Sequence, residues 1–204
     1  MKKKSTKEKK LPSYALEEES KKETASAIRH HYVELGVEGY YSSKGSEYIN
    51  PHEERVREIL KQGFKKWTPP TTRVLDLACG SGEVTLILRE LGVKEIEGMD
   101  PYTCEAFEKR TKLKCKSISF EDITQGKLGS EKYSLVVCSY AMHLASEGLL
   151  PVLCMQLAMS AETLIIITPH KRPEISSEWG WDLVEEIKYD KTKARYYKSS
   201  LFSE

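Results

Sequence analysis

The chain has 204 residues, 39% of them hydrophobic and 31% charged, which suits one domain of ordinary size with short extensions. A formal net charge of +1 gives no global argument for nucleic acid, although a local basic patch stays open. Six lysines in the first ten residues, with no apolar run behind them, do not read as a secretory signal. The apolar-rich stretch from Leu149 to Met159 is too short to span a bilayer and contains Pro151 and Gln156. A soluble, cytoplasmic or nuclear protein is therefore expected, with no membrane partner.

In chain order, residues 1–20 read as a disordered basic tail, rich in Lys and Glu with few apolar anchors. The run KKKSTKEKK is open to a nuclear-address or phosphate-binding reading, and a solvated tail is the plainer one. Residues 21–70 read as a helical segment. A first helix, Lys21 to Leu35, stops at Gly36, and an aromatic loop follows with Tyr40, Tyr41 and Tyr48. A second helix opens at Asn50-Pro51-His52-Glu53, with Asn50 as the cap and Pro51 in the first turn. Val56, Ile59, Leu60, Phe64 and Trp67 give it one apolar face, and Pro69-Pro70 ends it.

Residues 71–204 then alternate between strands and helices. Strands are expected at Arg73–Leu77, Glu95–Met99, Cys115–Phe120, Ser134–Cys138 and Thr163–Thr168. Helices are expected near Gly82–Leu91, Thr103–Thr111 and Leu150–Met159. Trp181–Tyr189 and Ala194–Leu201 read as a terminal hairpin. This alternation argues for a three-layer α/β/α sandwich with a mostly parallel sheet. Five cysteines (79, 104, 115, 138 and 154) form no CxxC pair and are expected to be buried, reduced thiols, with no metal site and no disulfide framework.

The strongest local signal is Val74-Leu75-Asp76-Leu77-Ala78-Cys79-Gly80-Ser81-Gly82-Glu83, where an apolar strand enters a small-residue turn and a helix starts at once. Gly80 and Gly82 let the backbone turn tightly and let a ligand approach it. The helix N-terminus beyond presents free amides. A dinucleotide site needs a third glycine, which is missing here. A phosphate-binding loop needs Lys followed by Ser or Thr, and Glu83-Val84 stands there instead. The acidic Asp76 before the turn suits a cationic ligand better than a pyrophosphate.

The segment Asp76 to Gly82 resembles the glycine-rich first motif of class I S-adenosylmethionine-dependent methyltransferases. It departs at Ala78, where that motif has its first glycine. The resemblance implies a Rossmann-like fold with a seven-stranded sheet, S-adenosyl-L-methionine as cofactor and methyl transfer as the activity. It implies a cofactor site built from Asp76, Ala78, Cys79, Gly80 and Gly82, with Asp100 and Pro101 after strand two at the ribose. It further implies Asp122 at the adenine amine, Ile123 against the ring, and Ser139 after strand four. A single such turn or strand-end Asp is often only a turn or a cap. Three in order after three strands are far more specific.

Catalytic candidates lie beyond the strand ends. Ser139-Tyr140-Ala141-Met142-His143 follows strand four and is not the NPPY-type motif. Tyr140 and His143 are candidates there, with packing or capping as the plainer role of His143. Thr168-Pro169-His170-Lys171-Arg172 follows strand five. His170 and the two cations are candidates for an anionic substrate group, and solvated charges are the alternative. Trp179 and Trp181 are expected to be buried, replacing a helix, and an exposed platform that stacks a base is the alternative. Residues 37–52 are a candidate lid. Methyl transfer needs a base only for a protonated nucleophile, so the absence of an obvious one does not argue against catalysis. The acceptor stays open among RNA, protein and small molecule, as does the oligomeric state. A catalytically silent cofactor-binding scaffold within a protein or ribonucleoprotein complex is the alternative to an enzyme.

Overall fold

Of the 204 residues, the computed structural model describes 50–169 and 171–203. The expected tail, the first helix and its aromatic loop up to Ile49, and His170 lie outside the described residues.

Helix α1 spans Glu53–Trp67. Glu53 and Glu54 lie at its positive end and Lys65 and Lys66 at its negative end, in accord with the helix dipole. Val56, Ile59 and Leu60 bury its apolar face completely. Its cap differs from expectation. His52 is the capping residue and Pro51 lies outside the helix, while Asn50 Oδ1 accepts the His52 amide at 2.9 Å.

Beyond the two prolines the chain alternates as expected: β1 (Val74–Leu77), α2 (Glu83–Glu90), β2 (Ile96–Met99), α3 (Cys104–Thr111), β3 (Cys115–Lys116) and α4 (Phe120–Thr124). It continues with β4 (Tyr133–Ser139), α5 (Leu150–Ser160), β5 (Ala161–Thr168), β6 (Trp181–Tyr189) and β7 (Thr192–Ser199). Short 3-10 turns lie at Met142–Leu144 and Ser177–Trp179. The sheet order is β3-β2-β1-β4-β5-β7-β6, parallel except for β7, which runs antiparallel to both neighbours. Order reverses at β1/β4, which places the ligand-side crevice at the carboxyl ends of those strands.

Both faces of the sheet are covered, so β1 is buried at all four positions and reads as an unbroken apolar run apart from Asp76. On one face Val74, Leu135, Val137, Ile165 and Ile167 pack against α1 and α2. On the other, Leu75, Leu77, Val136, Leu164 and Ile166 pack with Leu153 and Leu157 of α5 and with Trp181. Trp181 is 1% exposed and donates its indole N–H to the Cys154 carbonyl at 2.9 Å, so it is buried against α5, as expected.

Strand β3 is shorter than expected. Ser119 caps α4 through a reciprocal capping box with Asp122, and this local pairing turns the chain into a helix before it can extend the sheet. The cysteines also depart from expectation: Cys104 and Cys115 form a disulfide, while Cys79, Cys138 and Cys154 are free and buried. Among the described residues no metal-ligating cluster occurs, and no helix is long and apolar enough to cross a membrane.

Candidate functional site

The turn after β1 holds Ala78, Gly80 and Gly82 at φ of 55°, 55° and 90°. Alternate left-handed residues fold the chain tightly enough that the Gly82 amide reaches the Cys79 carbonyl at 2.8 Å. Ala78 adopts this conformation despite its Cβ, which accounts for a glycine in the motif it resembles. Gly82 serves a further purpose that the sequence does not reveal. A Cβ there would lie 2.3 Å from Thr111 Cγ2 and 3.2 Å from Phe107, so the close approach it permits is that of α3.

Three carboxyl groups gather behind this turn. Asp76 is 1% exposed, and its Oδ2 accepts the Thr85 amide at 3.0 Å and the Thr85 hydroxyl at 2.7 Å. It thereby ties β1 to the first turn of α2. Burial pushes its pKa well above the usual carboxylate range; the Thr85 bonds oppose this, and the nearby Glu83 and Asp100 charges add to it. Glu83 is itself buried and held above its ordinary value by desolvation. It accepts the Ser81 hydroxyl at 2.5 Å and the Asn50 amide at 3.1 Å, with an Arg110 nitrogen at 3.6 Å. Arg110 also forks onto both carboxylate oxygens of Glu53 at 2.8 Å. Residue 50 is thus anchored to the glycine turn. Sequence reasoning missed Glu83 because it stood out only as a departure from the phosphate-loop pattern; an acidic residue in a first helical turn was its one signal.

Asp100, 7% exposed, joins the cluster from the end of β2. Its Oδ2 accepts the Gly80 amide at 3.2 Å, and its Oδ1 accepts the Tyr102 and Thr103 amides at 2.9 Å each. Asp76, Cys79, Gly80 and Asp100 are therefore brought together, with Pro101 half-buried beside them. Two buried hydroxyls at this carboxyl edge, Ser139 Oγ at the end of β4 and Thr103 Oγ1 after β2, have no partner among the described residues.

Asp122 and Ile123, expected at the adenine, also serve the local fold. Asp122 is spent on the capping box, accepting the Ser119 amide at 3.0 Å, and on an ion pair with Lys127 at 2.5 Å. Lys127, with help from the Ser119 amide, holds its carboxyl below the usual range. Ile123 is fully buried in the core beside α5 and offers no free face to a ring. The capping box leaves Asp122 half-exposed beyond β3 and uses the same residue types as the motif.

Tyr140 has φ of 55°, stacks on His52 at 4.9 Å and shares a 2.6 Å hydrogen bond with the Thr192 hydroxyl. Burial raises its pKa, and its contacts link the start of α1 and the start of β7 to the end of β4. His143 lies half-buried in the 3-10 turn after β4. Of the cations after β5, Lys171 is exposed and Arg172 pairs with Glu147. Their loop is pinned by Arg195, which donates to the Lys171 and Pro173 carbonyls at 2.6 Å each. Trp179 is partly buried against the core, as expected.

The arrangement provides a cluster of buried carboxyl groups beneath a tight backbone turn, with two unpartnered buried hydroxyls at the same sheet edge. Such a site suits a ligand that carries positive charge and hydroxyl donors and no phosphate.

No family model matches the chain. An uncharacterised protein of Schizosaccharomyces pombe is 33% identical over 198 residues, covering 76% of this chain and 80% of its own. Among solved structures, magnesium protoporphyrin IX methyltransferase from Synechocystis, with bound S-adenosylmethionine, matches at a TM-score of 0.55 and 18% identity, covering 85% of this chain and 95% of that one. The N-methyltransferase NodS from Bradyrhizobium japonicum, in complex with S-adenosylhomocysteine, matches at 0.55 and 12% identity over 72% and 88% of the two chains. The methyltransferase CcbJ from Streptomyces caelestis matches at 0.57 and 12% identity over 78% and 95%. The chain belongs to one family with the fission-yeast protein, and its fold is that of the Rossmann-like, seven-strand S-adenosylmethionine-dependent methyltransferases.

Proposed function

We propose that this protein is an S-adenosylmethionine-dependent methyltransferase whose cofactor binds over the turn between β1 and α2. The observation that carries the reading is the convergence of Asp76, Glu83 and Asp100 behind that turn, with Ser139 Oγ and Thr103 Oγ1 buried and unpartnered at the same sheet edge. A buried hydroxyl without a partner costs free energy that a polar ligand recovers. The solved neighbours that hold the cofactor or its demethylated product support the same choice of ligand.

In this reading Asp100 accepts hydrogen bonds from the ribose hydroxyls, while Ala78, Cys79 and Gly80 supply backbone close to the ligand. Asp76 acts at one remove, fixing the turn through Thr85 and adding negative potential as it ionises. The bound cofactor supplies a methyl group already activated on a sulfonium. The protein's task is then alignment of the acceptor and exclusion of water. His143 and His170 are the side chains proposed to face the acceptor, and Tyr140 positions the segment that carries His143. The acceptor's class is left to experiment.

Calorimetry with S-adenosylhomocysteine on the full chain is expected to show micromolar-range binding. Radiolabelled S-adenosylmethionine offered with cell RNA, protein and metabolite pools is expected to leave label in one pool. Binding without label transfer to any pool favours a silent scaffold subunit. No heat and no thermal shift at millimolar ligand overturns the reading.

A further inference from the structure

We infer that Cys104 and Cys115 form a reversible thiol–disulfide switch that sets the geometry of the Asp100 loop and, through it, affinity for the cofactor. The inference rests on the cofactor reading above and assigns that site a redox control.

The bridge is placed on the loop that carries the carboxylate. Cys104 is the first residue of α3 and Cys115 the first of β3. Their sulfurs sit against the Asp100 carbonyl, at 3.1 Å from Cys104 Sγ and 3.8 Å from Cys115 Sγ. The carboxylate of the same Asp100 holds the Tyr102 and Thr103 amides just before Cys104, and its own amide donates to the Lys116 carbonyl just after Cys115, at 3.1 Å. The bridge therefore closes residues 104–115 into a covalent ring whose two ends abut the Asp100 segment. Without it, that segment is held to the two-residue edge strand β3 by hydrogen bonds alone, and a less ordered loop binds its ligand more weakly.

A third sulfur lies beside the bridge and takes no part in exchange. Cys79 Sγ lies 3.8 Å from Cys115 Sγ, within the glycine turn itself. Cys79 is buried, and desolvation together with the Asp76 and Asp100 charges pushes its thiol far up, so it stays protonated and does not attack the bridge. Cys104 and Cys115 are both partly exposed, in contrast to Cys79. With glutathione as reductant, one glutathione thiolate attacks a bridge sulfur and releases the other as a thiolate that takes up a proton. A second glutathione then displaces the mixed disulfide. The protein gains two thiols and two electrons, and one glutathione disulfide leaves.

The test equilibrates the full chain in glutathione buffers from fully oxidised to fully reduced. Each sample is read by intact mass after alkylation and by calorimetry with S-adenosylhomocysteine. The pair is expected to interconvert within that range, and reduction is expected to weaken binding about fivefold or more. Cys104→Ser and Cys115→Ser are each expected to bind at the reduced strength in every buffer; two separate serine variants guard against one failing to fold. Equal affinity in oxidised and reduced protein overturns the switch and leaves the bridge as a mere staple. A pair that stays in one state across all buffers overturns it too. Binding in neither form, with the mass shift still observed, overturns the cofactor reading and the switch with it.

Discussion

Replacing Asp100 tests the cofactor reading and the local fold together. Its two oxygens accept three backbone amides, those of Gly80, Tyr102 and Thr103, at 2.9–3.2 Å. Alanine leaves all three donors without that acceptor. Thr103 is 1% exposed, so water cannot readily replace the lost bond there. At about 1–3 kcal/mol for a buried unsatisfied donor, and less for those that water reaches, Asp100→Ala should destabilise the fold by about 2–4 kcal/mol. Asp100→Asn is the sharper probe. It keeps one oxygen for Tyr102 and Thr103 but turns an N–H donor toward Gly80, costing about 1–2 kcal/mol of stability. It also removes the charged acceptor for ribose hydroxyls, which should weaken S-adenosylhomocysteine binding by about 2 kcal/mol, or roughly thirtyfold. Urea unfolding gives the first quantity and calorimetry on the folded variant the second. Asparagine with wild-type affinity would refute the ribose assignment, and alanine with wild-type stability would refute the capping geometry.

Further outcomes follow from the same site. Ala78→Gly removes a Cβ from a left-handed residue and should raise stability by up to about 1 kcal/mol in thermal or urea unfolding, the unfolded-chain entropy of glycine offsetting part of the gain. Asp76 has a folded pKa raised above its unfolded value, so the folded state holds its proton longer. Stability should therefore fall as pH rises from the ordinary aspartate range toward the raised value, and urea midpoints of Asp76→Asn should lack that part of the slope. Affinity for a cationic ligand should move the opposite way, strengthening as Asp76 ionises; identical pH profiles for Asp76→Asn and wild type would contradict both. If residues 37–52 close over the site, hinged at the Asn50–Glu83 bond, protease nicking between Tyr40 and Ser46 should slow on adding S-adenosylhomocysteine, and unchanged nicking would exclude a lid.

The alternation of strands and helices, the α1 face of Val56, Ile59 and Leu60, and the glycine turn at 78–82 are all legible in the amino-acid sequence. Each of these is local: a period, a dipeptide or a residue whose missing Cβ has an unmistakable consequence. Tertiary structure decided what the polar residues do. Asp122 and Asp100 are both acidic residues beyond strand ends, yet one is taken up by a capping box three residues back and the other by amides from two segments, one of them 20 residues earlier. Gly82 reads as room for a ligand until α3 is seen packed on it. Glu83 acquires its place only when the start of α1 folds back across 33 residues to meet it. The pairing of Cys104 with Cys115 depends on α3 returning the chain beside its own beginning, a distance that residue spacing alone does not define. Hydrophobic pattern repeats along the chain and is legible there, whereas a polar group's partner is chosen in space, by whichever donor or acceptor the packed core leaves within reach.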